Sequence, residues 1–151
     1  MVTRKYDLVA RMRELGADDP EGWAESELLE DIPQEARWLV LRGIWRDIDG
    51  WTVDTIAAVP AAQRAVAAGA DPADVARAMR SAAYEAAFGV LSRVDEGCDP
   101  EAPTDAPGWS LVEVRFDDGD EGRPSGRLLD GLHESILTAD PSGREGADLW
   151  Q

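Results

Sequence analysis

The sequence predicts a mainly α-helical (α+β) domain, a bundle of about five to six helices with a small C-terminal β-hairpin and a short terminal helix. Three observations support this fold class. Apolar residues recur at spacings of three and four over the first two thirds of the chain, which is the helical period. The pattern Gly-x-Asp-Pro at 69–72 and 97–100 ends a helix and then offers a helix start. Residues 112–116 alternate with the two-residue period of a strand.

Two helices are predicted before residue 33. The first covers about residues 4–15, where Tyr6, Val9 and Met12 lie one turn apart and Gly16 stands at the C-cap position. The second begins at Asp19-Pro20, because Asp caps a helix N-terminus and Pro is favoured in its first turn, and it runs to about residue 32.

The third helix, over about residues 33–48, carries two adjacent apolar stripes. Its apolar positions are Ala36, Leu39, Val40 and Ile44 in one stripe, and Trp38, Leu41, Trp45 and Ile48 in the other. Such a wide apolar face suits a central helix that is contacted from two sides. We expect Trp23, Trp38 and Trp45 to pack together.

One long helix follows two shorter helical segments. Residues 51–59 predict one or two short turns, and residues 60–69 a further helix. Asp71-Pro72 starts the long helix, which ends near Glu96 with Gly97 as its cap. We expect its inward side to contain Val75, Met79, Ala82, Ala86, Val90 and Val94, widened by Ala83, Ala87 and Leu91.

The last third contains the predicted β-hairpin, within about residues 109–129. Val112, Val114 and Phe116 alternate with Glu113 and Arg115, which predicts a half-buried strand with a two-residue period. Residues 127–129 form the returning strand, and a short helix at 132–137 follows. We expect residues 1–138 to form one domain and the polar residues 139–151 to be a weakly ordered tail.

The charge balance excludes whole classes of partner. The chain has 31 Asp and Glu against 15 Lys and Arg, a formal net charge of -16. Such a surface repels nucleic-acid phosphates and anionic membranes, so neither is expected as a partner. It attracts basic proteins, or it simply keeps the domain soluble.

The cysteine count and the N-terminal residues limit the predicted cellular location. Cys98 is the only cysteine, which excludes an internal disulfide and Cys-x-x-Cys zinc or redox sites. The first 15 residues mix charges with apolar residues, unlike a secretory signal, and no run of 18 apolar residues occurs. We therefore expect a soluble cytoplasmic protein with no metal and no cofactor.

His133 is the one candidate for catalysis. A lone histidine flanked by Asp130 and Glu134 has the chemistry of a general base near neutral pH. The sequence has neither the H-E-x-x-H pattern of a zinc helix nor a G-x-S-x-G nucleophile elbow. A capping or hydrogen-bonding role beside the hairpin is the alternative, and it is favoured.

Two acidic clusters are candidates for ligand or partner binding. Asp117, Asp118, Asp120 and Glu121 crowd one turn, but the register of a calcium loop fails there, so a solvated acidic turn is favoured. Glu27, Glu30 and Asp31 share a face of the second helix. Either Arg37, or Arg42 with Arg46, neutralises this face within the fold, or the face meets a basic partner.

Two tryptophans are candidate anchors for a partner. Trp51 and Trp109 flank loops, where tryptophan often serves as an interface hot spot. Packing into or beside the core is the alternative for both residues.

Three segments carry a resemblance to other proteins: the stretch from Trp23 to Trp45, Val94-Asp95-Glu96-Gly97 and Gly131-Leu132-His133-Glu134. In these segments the chain resembles small acidic bacterial proteins of unknown function. The resemblance implies no activity. In size and acidity alone, the chain is also similar to immunity proteins that neutralise basic nuclease toxins.

Together these observations favour a non-enzymatic acidic domain that binds a basic protein, with an immunity or inhibitor role as its most concrete form. The first alternative is a small enzyme or ligand-binding domain that uses His133 with Asp130 or Glu134. The second is a homo-oligomeric structural subunit joined through its alanine-rich long helix.

Overall fold

Seven α-helices and one antiparallel hairpin make up the regular structure of residues 2–116 and 121–151, which are the residues that the computed structural model describes. The fold is mainly α with a small C-terminal hairpin, as predicted. The elements in chain order are α1 (Val2–Glu14), α2 (Pro20–Glu30), α3 (Gln34–Asp49), α4 (Val53–Ile56), α5 (Pro60–Ala67), α6 (Pro72–Glu96), β1 (Val112–Phe116), β2 (Gly122–Leu128), α7 (Leu132–Ser135) and a 3₁₀ turn (Ala147–Leu149).

The ends of several helices lie at capping residues that can be recognised in the sequence. The Asp19 carboxylate accepts a hydrogen bond from Gly22 N at 3.0 Å, and the Asp71 carboxylate accepts one from Ala73 N at 2.7 Å. In both cases a proline occupies the first turn, where a missing N–H costs nothing. Gly97 ends α6 in the left-handed conformation, with φ +68°.

Helix α3 lies at the centre of the core. Its inner stripe, Trp38, Leu41, Trp45 and Ile48, is fully buried. The Trp23 and Trp38 rings meet edge to face at 5.4 Å, which confirms their predicted packing. Trp45 belongs to the same cluster, but its ring contacts Tyr84 of α6 at 6.2 Å.

Both indoles of α3 donate a hydrogen bond. Trp38 Nε1 donates to Leu15 O at 3.2 Å, and Trp45 Nε1 donates to Ile136 O at 2.7 Å. These bonds offset the cost of removing a polar N–H from water. They also tie α3 to the end of α1 and to the segment after α7.

The buried side of α6 differs from the predicted one. Tyr84 and Leu91 enter the main core with the half-buried Ala83 and Ala87, whereas Ala82, Ala86 and Val90 are exposed. Near its start, α6 instead packs against α4 and α5 through a second cluster, formed by Ile56, Ala62 and Ala76 with Trp51, Val59, Val75 and Met79 around it. The helix therefore serves two clusters along its length, which a single predicted stripe does not describe.

Residues 139–151 pack onto the fold, contrary to the expectation of a weakly ordered tail. Leu149 is 2% exposed and joins the main core. The buried Asp140 carboxylate accepts hydrogen bonds from Ser142 N and Gly146 N, both at 2.8 Å. Two buried apolar residues, Ala139 and Leu149, and a carboxylate that satisfies backbone N–H groups thus hold this polar segment against the fold.

Candidate protein-binding surface

Strand β1 buries an acid against the fold and exposes the apolar residues that follow it. Glu113 is only 9% exposed, whereas Val114 is 44% and Phe116 is 74% exposed. Val112 is half-buried and Arg115 is exposed, so Glu113 is the one buried position of the strand. The two-residue alternation of the sequence is therefore not matched by a regular alternation in burial.

A three-residue ionic network explains this orientation. Arg127 of β2 donates to both oxygens of Glu113, at 2.7 and 3.1 Å, and its Nη2 lies 3.2 Å from Glu27 Oε1 of α2. All three side chains are largely buried, with 14%, 10% and 5% exposure for Arg127, Glu113 and Glu27. A paired guanidinium and two carboxylates thus fill the space under the hairpin.

The network shifts the pKa values of Glu113 and Arg127. Burial alone would raise the pKa of Glu113, but hydrogen bonds and charge attraction from Arg127 outweigh it and lower the pKa to about 2. The hydrogen bond to Glu113 in turn raises the pKa of Arg127. Both groups are therefore charged at neutral pH, and the polar side of the hairpin is held against α2.

The opposite side of the hairpin is an apolar surface, which we call the outer face: Val114, Phe116 and Leu128. The register pairs Val112 with Leu128, Val114 with Pro124 and Phe116 with Gly122. A Cβ on Gly122 would lie 2.5 Å from Val114 Cγ1 and 2.9 Å from Phe116 Cε1, so both side chains cover this glycine. The lack of a side chain at position 122 lets the two apolar groups lie together.

Further exposed apolar residues lead into β1. Trp109 is 42% and Leu111 is 39% exposed. Trp109 is held in place, because its Nε1 donates to Arg93 O and its backbone N donates to Gly97 O at 2.8 Å. A Cβ on Gly108 would lie 2.6 Å from Gly97 O, so glycine at this position permits the close approach.

Acidic residues surround these apolar groups in the sequence. Residues 97–130 contain nine Asp or Glu and three Arg. Of the acids that the structure describes, Asp99, Glu101, Asp105, Glu121 and Asp130 are exposed. The predicted acidic turn falls mostly on Asp117, Asp118 and Asp120, which lie outside the described residues.

The three acids of α2 do not form one open face. Glu27 is buried, paired with Arg127, and accepts a hydrogen bond from Glu35 N at 3.1 Å. Asp31 is exposed and lies 3.7 Å from Arg127, while Glu30 accepts a hydrogen bond from Ser26. The cation beside Glu27 is Arg127, not Arg37, Arg42 or Arg46, and sequence spacing offers no signal for a partner so distant along the chain.

Trp51, the other predicted anchor, lies apart from the hairpin. It is half-buried beside the second cluster and lines an open cleft of about 660 Å³ with Arg77, Arg80 and Arg144. Arg80 is already paired there, with Asp49 at 2.6 Å and Asp148 at 2.8 Å. The hydrogen bond from Arg80 lowers the pKa of Asp148. Arg80, the least exposed of the three arginines in this cleft, is therefore already paired within the fold.

His133 pairs with a carboxylate that the sequence did not suggest. Its Nδ1 lies 2.5 Å from Asp95 Oδ2 of α6, and the same oxygen accepts its backbone N–H at 3.1 Å. Asp130 and Glu134, the neighbours in sequence, are exposed. Within residues 2–116 and 121–151, no hydroxyl or thiol is found hydrogen-bonded to the His133 ring. The contact fastens α7 to the end of α6 and not to the hairpin.

Comparisons with known proteins point to no function for this chain. No protein-family model, curated protein or solved structure matches the chain. No helix in the described ranges is long and apolar enough to cross a membrane. Residues 2–116 and 121–151 also hold no group of three or more His, Cys, Asp or Glu side chains arranged to bind a metal ion.

Proposed function

We propose that this protein is a non-enzymatic binding domain that engages a basic protein through the outer face of its hairpin. The single observation that carries the proposal is the orientation of the hairpin, in which Val114, Phe116 and Leu128 are exposed while Glu113 is buried. Exposed apolar groups that are held on a rigid element and bordered by charge are typical of protein interfaces.

Charge supports a basic partner. The net charge of -16 steers cationic proteins toward this chain, and the exposed acids between Gly97 and Asp130 are close in sequence to the residues of the outer face. In such a complex the apolar groups supply most of the affinity, and the acids supply the rate and the salt dependence. An inhibitor or immunity protein that neutralises a basic enzyme is the most concrete form of this function.

The test compares two matched double variants in affinity capture from the organism that encodes the protein. F116S/L128S removes apolar groups from the outer face. Y6S/L29S removes two exposed apolar groups elsewhere, since Tyr6 is 71% and Leu29 is 76% exposed. Each captured protein is then purified and its Kd is measured by calorimetry at about 50 and 300 mM salt.

The proposal expects a basic protein, with a pI above about 9, at one-to-one stoichiometry. It should bind wild type and Y6S/L29S alike, bind F116S/L128S at least about tenfold more weakly, and bind all of them more weakly at the higher salt. Equal binding by the two double variants, or capture of no basic protein, would contradict it.

A further inference from the structure

The two hairpin strands differ in how they protect their outer edges. Strand β2 contains Pro124 and the left-handed Gly126, with φ +85°, and its register with β1 shifts between the Val112 and Val114 pairs. Proline and local distortion are features by which edge strands avoid pairing with another chain. Strand β1 reads Val-Glu-Val-Arg-Phe, without proline or glycine. Its two charged residues are Glu113 and Arg115, which pair with each other at 3.2 Å, and Glu113 is also paired with Arg127.

The hydrogen-bond register shows which groups β1 leaves open. Leu129 N donates to Leu111 O at 2.9 Å, next to the Val112–Leu128 pair. Because the backbone groups of an antiparallel strand alternate in direction, Glu113 and Arg115 direct theirs toward β2, whereas Val112, Val114 and Phe116 direct theirs away. Pro124 stands opposite Val114, where β2 needs no donor. In the part of the chain that the structure describes, the sheet has only these two strands.

We infer that β1 accepts an extended segment of the basic partner as a third strand of the sheet. This inference rests on the proposed function and specifies how the partner docks. Backbone hydrogen bonds to Val112, Val114 and Phe116 hold the segment, as in other cases of strand addition. The segment presents apolar side chains that extend the outer face, and it carries Lys or Arg residues that the net charge of -16 attracts.

Two substitutions at one position separate backbone pairing from side-chain contact. V114T keeps the amide and the β-branched shape, whereas V114P removes the outward N–H. The fold should tolerate proline there, because an edge strand accepts it where the N–H points to solvent, and circular dichroism with thermal unfolding checks this. We expect V114P to bind the purified partner about tenfold more weakly than V114T, since the partner's carbonyl loses its donor.

Hydrogen exchange on the wild-type protein gives a second measurement that needs no variant. On complex formation, the amides of Val112, Val114 and Phe116 should exchange at least about tenfold more slowly, while that of Arg115, which pairs with Arg123 in the register, should change little. Unchanged exchange at the three outward amides would overturn strand addition.

The outcomes distinguish this inference from the function on which it rests. If V114P and V114T bind equally while F116S/L128S loses the partner, strand addition fails and the proposed function stands. If F116S/L128S binds as well as Y6S/L29S, the proposed function itself fails.

Discussion

At the scale of single residues, Glu113 decides which way the hairpin faces. Val114 and Phe116 would each gain roughly 1.5–3 kcal/mol from full burial, and the fold forgoes this gain because both are exposed. In its place, the fold buries a carboxylate that receives two hydrogen bonds from one guanidinium. The alternation is visible in the sequence, but its direction is not, because it depends on Arg127 meeting Glu27 from 100 residues away.

The depressed pKa of Glu113 predicts a pH-dependent loss of stability. A group whose pKa falls on folding stabilises the native state fully above its unfolded pKa, and this contribution declines as the pH falls toward the folded value. From 4.5 in the unfolded chain to about 2 in the fold, the difference corresponds to about 3 kcal/mol. The E113Q variant should therefore be less stable than wild type at pH 6, and the gap should shrink between pH 4.5 and pH 2.

Urea unfolding of both proteins across this pH range measures the gap. E121Q is the matched control, because Glu121 is exposed in the same hairpin. A gap between wild type and E113Q that stays constant with pH would contradict the assigned pKa.

At the scale of elements, the sequence predicts helix ends well and contacts between elements poorly. Asp-Pro starts and glycine ends fixed the helix boundaries within a few residues, because caps act on neighbouring backbone groups. The inward side of α6 and the packing of residues 139–151 depend on which elements lie beside them, and no periodicity within one segment carries that information. The Asp95 partner of His133 was missed for the same reason.

The segment after α7 should contribute strongly to stability. Leu149 is buried in the main core, and the Ser81 hydroxyl donates to its backbone oxygen. Replacing a buried leucine by alanine costs about 2–5 kcal/mol, because apolar contact is lost and a cavity remains. We expect L149A to lower the free energy of unfolding by this amount.

The control for this prediction is L39A. Leu39 lies on α3 and is 46% exposed, so its truncation should cost less than about 1 kcal/mol. Chemical denaturation of both variants compares them directly, and equal losses would show that residues 139–151 add nothing beyond a surface contact.

At the scale of the whole molecule, the net charge opposes folding at neutral pH. Sixteen excess negative charges repel one another more strongly in the compact state than in the unfolded chain. Most ion pairs on α1 and α6 are exposed, and exposed pairs contribute only about 0–1 kcal/mol each. Screening should therefore relieve more repulsion than it removes attraction.

We expect the Tm at pH 7 to rise as sodium chloride increases from about 10 to 300 mM, over which the Debye length falls from about 30 to below 8 Å. Near pH 4.3, the isoelectric point of the sequence, the same salt series should leave the Tm level or lower it. Differential scanning calorimetry at the two pH values tests this, and a Tm that falls with salt at pH 7 would show that local ion pairs dominate.

The ion pair between Glu27 and Arg127 also bears on the order in which parts of the protein fold. Helices α1 to α3 follow one another in the chain, and α2 packs against both of its neighbours, so they can form early. Burial of Glu27 becomes favourable only when Arg127, 100 residues later in the chain, pairs with it, and during synthesis the ribosome must add the whole of α6 first. We therefore expect docking of the hairpin to follow the rate-limiting barrier, so that in stopped-flow kinetics substitutions at Arg127 hasten unfolding and leave the refolding rate nearly unchanged.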